Sequence, residues 1–338
     1  MSKKIKQTQP VTPSDSTHVK KLSMPAELKG LEEYFNREIS PFLNAKTVQI
    51  LLIRQILDYT ILRTEDSREL NTVELPKSLQ DPTREVYGLF LASKQKSVES
   101  RMFMELLRTD PEFIKDNDCY LPMNLCMKCP RCVLFGSVKP AGGKYNIKHR
   151  IEYSSAFSLA PFKDINETIT FNAIDEANQK TGQALNVSHN YKPLTIFPSI
   201  IALKSVTWKE FVMVIKTILA SHSYGAETRV KGDVRNEIIG IVMGYEEIIT
   251  PLELTMELRL LLSGDTPITL EEITNKTFEI TEKYKKLAAS SSNVKVLTDV
   301  QIKSIIDTVR KIDIGPDIIG DMNIDALGFA KIAEKLGE

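Results

Sequence analysis

Thr47-Val-Gln-Ile-Leu-Leu-Ile-Arg-Gln-Ile-Leu-Asp-Tyr-Thr-Ile-Leu62 is apolar and rich in β-branched residues. Its centre lacks the strict alternation of a strand with one wet face. A strand buried on both faces has this pattern, with a helix as the alternative at this length. Downstream, Ser97–Arg108 places Val98, Met102, Met104, Leu106 and Leu107 among charges, the pattern of an amphipathic helix that Pro111 stops. Ile147–Leu159 and Thr168–Ile174 have strand character. The polar stretch Asp175–Asn190 leaves the core, as a hairpin would. Thr195–Leu203 is a further strand, and Pro198 near its middle predicts an edge or a bulge. Trp208–Ser221 is the clearest helix: Thr207 and Glu210 form a capping-box pair, and Phe211, Val214, Ile215, Ile218 and Leu219 make one face. Ile238–Met243 is the last strand of the set.

The order is therefore β-α-β-β-α-β with insertions, which predicts an α+β chain on a ferredoxin-like core. Upstream, residues 1–24 are polar, lack an apolar leader and are expected to be a disordered tail. Pro25–Phe35 is expected to be a short helix. Residues 25–250 make the core, with insertions at about 115–145 and about 160–195. Residues 251–338 form a helical C-terminal region, with helices over Leu252–Leu262, Leu270–Leu287 and Asp299–Ile312 and a linker at Ser290–Asn293.

Apolar content of 42% and charged content of 26% are those of a globular protein. No apolar run is long enough to span a bilayer, so a cytoplasmic chain with no membrane partner is expected. Lys and Arg total 44, as do Asp and Glu. Net charge gives no support for nucleic-acid binding, but its distribution does. From Cys126 to Arg150 stand Lys128, Arg131, Lys139, Lys144, Lys148 and Arg150, with no acid among them. Arg229, Lys231 and Arg235 form a second group, while acid gathers at Glu246, Glu247, Glu253 and Glu257. A basic face on a neutral molecule is one outcome; a solvated loop with scattered lysines is the other.

All four cysteines fall together, at Cys119, Cys126, Cys129 and Cys132. Thiolates two residues apart on a tight turn converge, and four of them suit tetrahedral zinc as a structural cofactor. An iron–sulfur cluster, free thiols and disulfides are the alternatives. The ferredoxin pattern places its Pro after the last Cys, whereas Pro130 follows Cys129. His149 is an alternative to Cys119 as fourth ligand.

The loop Tyr224–Arg235 combines Gly225 and Gly232, which permit close backbone approach, with Thr228, Arg229, Lys231 and Arg235, which can pair with phosphate. Its glycine spacing matches no nucleotide-cofactor motif, and a plain surface turn is the competing explanation. Phe171 and Asn172 lie on the excursion, where an aromatic either stacks on bases or packs back on the core. No catalytic set is evident. His149 sits between two cations, and Glu65 and Asp66 stand in a polar turn where a metal is the less economical account.

Cys129-Pro-Arg-Cys-Val-Leu-Phe-Gly136 resembles the C-x-x-C…F-G element of the Cas-seven superfamily of CRISPR proteins. Arg150–Phe157, Thr170–Ile174 and Tyr224–Gly240 resemble its type I-D branch in particular, and the resemblance spans roughly Lys46–Tyr245. It implies a modified RNA-recognition-motif core, of which several copies line up along a CRISPR RNA as the backbone of a Cascade complex. Guide pairing would then read the target nucleic acid. Partners would be the guide, the target, copies of the chain and other Cascade subunits. The excursion would be a thumb, with Phe171 at or near its base. Tyr224, Gly225, Thr228, Arg229, Lys231, Gly232 and Arg235 would form the RNA-binding glycine loop, joined by Lys144, Lys148 and Arg150. The cysteines would be a zinc-binding insertion. The chain lacks the aromatic pair of the RNA-recognition signature, so base stacking on the sheet is not expected. Related type III subunits resemble metal-dependent nucleases with an Asp in an early loop; Asp66 is the loosely matching position and the basis of an alternative, single-strand cutting at even intervals. A backbone role requires Lys148, Arg150, Arg229 and Arg235 to gather in one channel.

Overall fold

Strand β1 (Thr47–Ile56) has nine of its ten residues buried, which is why its sequence shows no polar face. The computed structural model describes residues 21–63, 69–116, 118–138, 145–174, 181–225, 231–261 and 269–336; the side chains of 116, 171–174 and 181–186 lie outside that description. In chain order the elements run α1 (Ala26–Lys29), β1, β2 (Thr72–Pro76), β3 (Arg84–Phe90), α2 (Ala92–Leu107), α3 (Pro111–Asp116) and α4 (Pro130–Phe135). Next come β4 (Ile151–Tyr153), β5 (Ala156–Pro161), α5 (Phe162–Ile165), β6 (Asn166–Ile174), β7 (Thr181–Tyr191), β8 (Ile196–Lys204) and α6 (Trp208–Ala220). The last are β9 (Val234–Gly244), α7 (Pro251–Leu261), α8 (Leu270–Lys285), β10 (Lys295–Val296), α9 (Asp299–Lys311) and α10 (Pro316–Leu336).

Five strands form the central sheet in the order β10-β9-β1-β8-β4, every neighbour antiparallel. Taken with α2 and α6, the chain order β1-α2-β4-β8-α6-β9 places the strands in space as fourth, first, third, second. β1 is the axis: Thr47 faces Lys204 and Gly244, and Gln55 faces Ile196 and Arg235. One face packs Ile50, Leu52 and Ile201 with Phe103 of α2 and Phe211 and Ile215 of α6. The other packs Leu51, Ile53 and Ile200 with Leu254 and Leu258 of α7 and Ile273 and Ile280 of α8. The α+β expectation is met, with antiparallel sheets throughout.

Helix α6 begins as expected, with the Thr207 side chain accepting from the Glu210 amide and the Glu210 carboxylate accepting from the Thr207 amide. Four details differ from the sequence expectation. Strand β8 is internal rather than an edge; Pro198 faces Ile53 of β1, and β4 pairs only as far back as Ile201, so no described strand asks Pro198 for an amide on its other side. Ile147–Leu159 is not one strand. It breaks at Ser154–Ser155, where Gln95 donates to the Ser154 carbonyl and the Ala92 amide donates to Ser155 Oγ, sending β4 and β5 into different sheets. The hairpin β2–β3 carries mixed burial that masks its period. Helix α10 carries two glycines, Gly320 and Gly328, inside its apolar pattern, and lies beyond the three helices expected in this region.

The C-terminal helices enter the core: Ile302, Ile305 and Val309 of α9 and Ile318, Ile319 and Met322 of α10 share the cluster with α2 and α6. Lys209 of α6 is buried and ion-paired with Asp321 and Asp325 of α10, and Asp321 also accepts from the Leu22 amide. Among the described residues no helix is long and apolar enough to cross a membrane.

Candidate nucleic-acid interface

The glycine loop joins α6 to β9. Its neck is a short ladder in which the Tyr224 amide donates to the Gly232 carbonyl at 3.0 Å and the Gly225 amide to the Lys231 carbonyl at 3.2 Å. Gly232 has φ +65°, and a Cβ there would stand 2.4 Å from the Gly225 nitrogen. Gly232 thus makes room for the backbone of Gly225. Beyond the neck, Lys231 is exposed and paired with Asp233 at 2.6 Å, and Arg235 is exposed with Nε 3.8 Å from Glu237. Thr228 and Arg229 lie outside the described residues.

Tyr224 departs from expectation. Its ring is fully buried against Phe90, and its hydroxyl donates to Glu99 Oε1 at 2.8 Å. Burial, then the Glu99 charge, pushes its pKa above the usual phenol range. That hydroxyl also accepts from Arg54 at 3.1 Å, and Arg54 lies 2.7 Å from Glu99 with both side chains wholly buried. Arg54 further donates to Gln95, Ser199 and Asn236, and Tyr153 donates to the second Glu99 oxygen at 2.8 Å. A charge pair this deep needs all its partners. It ties β1, α2, β4, β8 and β9 to the neck of the loop. The signal for it was present: Arg54 is the one charged residue of a buried, largely apolar strand.

The cysteine-side basic segment is divided by burial. Lys128 and Lys148 are exposed, whereas Lys139 and Lys144 lie outside the described residues. Arg131 is buried and donates to Ser100, and Arg150 is buried in a two-pronged pair with Glu210, its Nη1 2.9 Å from Oε2. Arg150 therefore holds α6 to β4's entry and presents no guanidinium to a ligand. The expected single channel is not formed by these residues. The Arg150 carbonyl accepts from Lys204, opposite Thr47, whereas Arg235 sits opposite Gln55. Eight residues of β1 separate those positions, about 26 Å at strand rise. Lys148 and Arg235 lie at opposite ends of the sheet.

Strands β6 and β7 form the predicted hairpin, and among the described residues they pair with no other named strand; one bridge joins Tyr191 to Thr60. At its foot Tyr191 is buried and donates to the Asn71 carbonyl at 2.6 Å, and the Lys192 amide donates to the Ile165 carbonyl at 2.8 Å. Phe171 is not at the base. It faces Asn186, between the foot pair Asn166–Tyr191 and the outer pair Ile174–Thr181, and Asn172 faces Ala184. Asp66 and Glu65 lie outside the described residues.

The four cysteine sulfurs all lie within 4.8 Å of one another, with Cys119 Sγ 3.5 Å and Cys126 Sγ 4.0 Å from Cys132 Sγ. Zinc–sulfur bonds of about 2.3 Å in a tetrahedron space sulfurs by about 3.8 Å. The set therefore fits such an ion, and none of the four is in a disulfide. The donors crowd enough to share protons: Cys132 is pulled well below the usual thiol range by donation, from Cys119 first, and Cys119 is raised, by Cys126 first. Cys119 completes the set, and His149 is not part of it; its ring nitrogen lies 4.0 Å from Glu152. Local geometry builds the knuckle. Met127 adopts φ +63°, Cys129 caps α4 with Pro130 in its first turn, and Gly136 at φ +81° leaves α4 where a Cβ would meet the His149 amide at 2.9 Å.

A Csc2 CRISPR family model matches residues 33–317, well over half of the sequence. The chain belongs to the Csc2 family. None of the curated proteins matches it in sequence. Among solved structures, this Csc2-family chain is similar to Csc2 from Thermofilum pendens, 18% identical over 93% of this chain and 98% of that one, with a TM-score of 0.67. It is also similar to a chain of a CRISPR RNA-guided surveillance complex, 12% identical over 83% of this chain and 99% of that one, with a TM-score of 0.52. At these identities the likeness establishes the Csc2 fold.

Proposed function

We propose that this chain is a CRISPR RNA-binding backbone subunit of a type I-D Cascade effector complex, acting in the cytoplasm in antiviral defence. Its core, residues 25–250, is a modified RNA-recognition-motif unit; the fourth-first-third-second strand order supports that assignment. Copies assemble along the guide, and guide pairing reads the target. The β6–β7 hairpin is the thumb that lies across the strand, with Phe171 and Asn172 on its shaft. Family membership over residues 33–317 carries the proposal in place of the single channel that Lys148, Arg150 and Arg235 do not form, because it covers the core, the hairpin, the glycine loop and the cysteine knuckle together.

Within that function the exposed cations Lys231 and Arg235, with Arg229 and Thr228 on the same loop, contact phosphates. Lys148 serves the far end of the sheet, and Lys144, four residues earlier in the sequence, is a further RNA contact. Arg150, Tyr224, Gly225 and Gly232 set the loop and strand geometry rather than contact RNA through their side chains. Zinc, held by Cys119, Cys126, Cys129 and Cys132, would fix the knuckle in one shape. The subunit is proposed to be non-catalytic.

The test is retention of a single-stranded guide-length RNA on a filter. The triple variant Arg229→Ala, Lys231→Ala, Arg235→Ala is expected to weaken binding for every RNA sequence alike. Retention equal to that of the unmodified protein would rule this interface out.

A further inference from the structure

A cavity of about 450 Å³ opens at the foot of the hairpin, between β3, the Lys192–Thr195 turn and α7. That volume is within the range of small-ligand sites, about 300–1,000 Å³. Leu159, Ile165, Ile196 and Leu258 give it apolar walls. On one side the Arg259 guanidinium carbon lies 3.4 Å from the centre of the Tyr87 ring, a stack that presents a flat, charged surface. Lys192 and exposed Lys77 stand at the rim.

Arg259 is only partly committed. One terminal nitrogen donates to the Ser158 carbonyl at 2.5 Å, and the other lies 3.5 Å from Met256 Sδ. Its Nε is buried with no hydrogen-bond partner, and the cation has no carboxylate partner among the described residues. Burial lowers its pKa to about 10, against the pull of Tyr87 and Glu85. Of the two acids on the wall, Glu85 is tied to Lys163 at 2.7 Å, and Asp164 remains. Cations therefore outnumber free carboxylates there.

We propose that this cavity is a nucleotide subsite, in which a planar base lies against the Arg259–Tyr87 stack and its phosphate meets Lys192 and Lys77. An acidic peptide suits it less. A carboxylate fork on the Nε edge needs Nε and its neighbouring terminal nitrogen together, and here Nε is buried while that nitrogen already donates to the Ser158 carbonyl. A base needs a planar partner, and the half-buried Arg259 guanidinium, stacked on Tyr87, lines the cavity. The subsite deepens the RNA-binding function and rests on it only for the source of the nucleotide, either one residue of a bound strand or a free mononucleotide.

The test uses the full chain washed free of RNA. Calorimetric titrations with AMP, GMP, CMP and UMP run beside ribose 5-phosphate, inorganic phosphate and an Asp/Glu-rich peptide. At least one nucleoside monophosphate is expected to bind at least tenfold more tightly than ribose 5-phosphate. Leu194→Trp blocks the mouth from an exposed position, and Arg259→Lys keeps the charge but removes the plane. Each is expected to weaken binding at least fivefold, Leu194→Trp with an unchanged melting temperature. A 4-thiouridine-substituted RNA that crosslinks to the peptide containing Tyr87 assigns the nucleotide to a bound strand; mononucleotide binding without that crosslink assigns it to the free pool. The subsite is overturned by no mononucleotide binding, by equal binding of ribose 5-phosphate or phosphate, by indifference to Leu194→Trp, or by tighter binding of the acidic peptide. Filter retention of long RNA that persists in those cases leaves the backbone function standing, and its absence from the unmodified chain removes that function instead.

Discussion

Gly232 and Gly225 stand back to back at the neck of the basic loop, so close that a Cβ on the first would meet the amide nitrogen of the second at 2.4 Å. Gly232 also holds φ +65°, where an L side chain costs about 1–2 kcal/mol before any clash. Gly232→Ala is expected to destabilise the protein by about 2–3 kcal/mol, read by urea unfolding. Gly328 in α10 is the control, because a Cβ there meets nothing within 4 Å. Gly328→Ala is expected to stabilise by about 0.5–1 kcal/mol, the helical alanine–glycine difference. Equal effects at the two sites would disprove the proposed packing of the neck.

The Arg54–Glu99 pair beneath that neck makes a second expectation. Removing one partner of a buried ion pair leaves the other charge in the core, at a cost of about 3–5 kcal/mol. Glu99→Ala should therefore lose about that much stability, while Tyr224→Phe, which removes one hydroxyl, should lose about 1–3 kcal/mol. The two changes share a network, so the double variant should fall short of their sum. Strict additivity in a double-mutant cycle would show that Tyr224 does not report to Glu99.

The core was legible where periodicity and polarity agree. Thr207 with Glu210 announced α6, and the apolar, β-branched stretch of β1 without strict alternation announced a strand covered on both faces. Legibility failed where polar residues are buried. Gln95, Glu99 and Ser100 lie on the inner face of α2, so the apolar stripe alone misplaced its start. Composition identified the basic segments, but composition does not distinguish Lys148, which reaches solvent, from Arg150, which spends its charge on Glu210. Loop glycines suggested a ligand; one of the close approaches they permit is their own. The Arg259–Tyr87 stack joins residues from distant elements and leaves no local trace in the sequence.

The cysteine knuckle predicts metal dependence. Purified protein should carry about one zinc per chain by elemental analysis, and an iron–sulfur cluster would instead give iron and a visible absorption band. Cys129→Ser replaces a fully buried donor at the cap of α4 and should release the metal, with a melting temperature lowered by at least several degrees. His149→Ala should leave metal content unchanged, because the sulfur set is complete without it. Metal loss on the histidine change would mean that the ligand set is drawn wrongly.

Salt dependence tests the phosphate contacts individually. Each lysine or arginine that neutralises a phosphate contributes about 0.7–0.9 to the slope of log binding constant against log salt. Lys231 and Arg235 each have a near acidic neighbour, Asp233 at 2.6 Å and Glu237 at 3.8 Å. Binding RNA must exchange those surface pairs for phosphate, and an exposed pair is worth at most about 1 kcal/mol, so the exchange is favourable. Lys231→Ala and Arg235→Ala should each lower the slope by about one and weaken binding without regard to RNA sequence. Asp233→Asn, which frees Lys231 without removing it, should tighten binding slightly at low salt. Lys148→Ala distinguishes two paths for the strand: a slope lowered by about one places the RNA along the whole length of β1, and an unchanged slope confines it to the Arg235 end. An RNA affinity indifferent to salt in the unmodified protein would contradict any backbone grip at this loop.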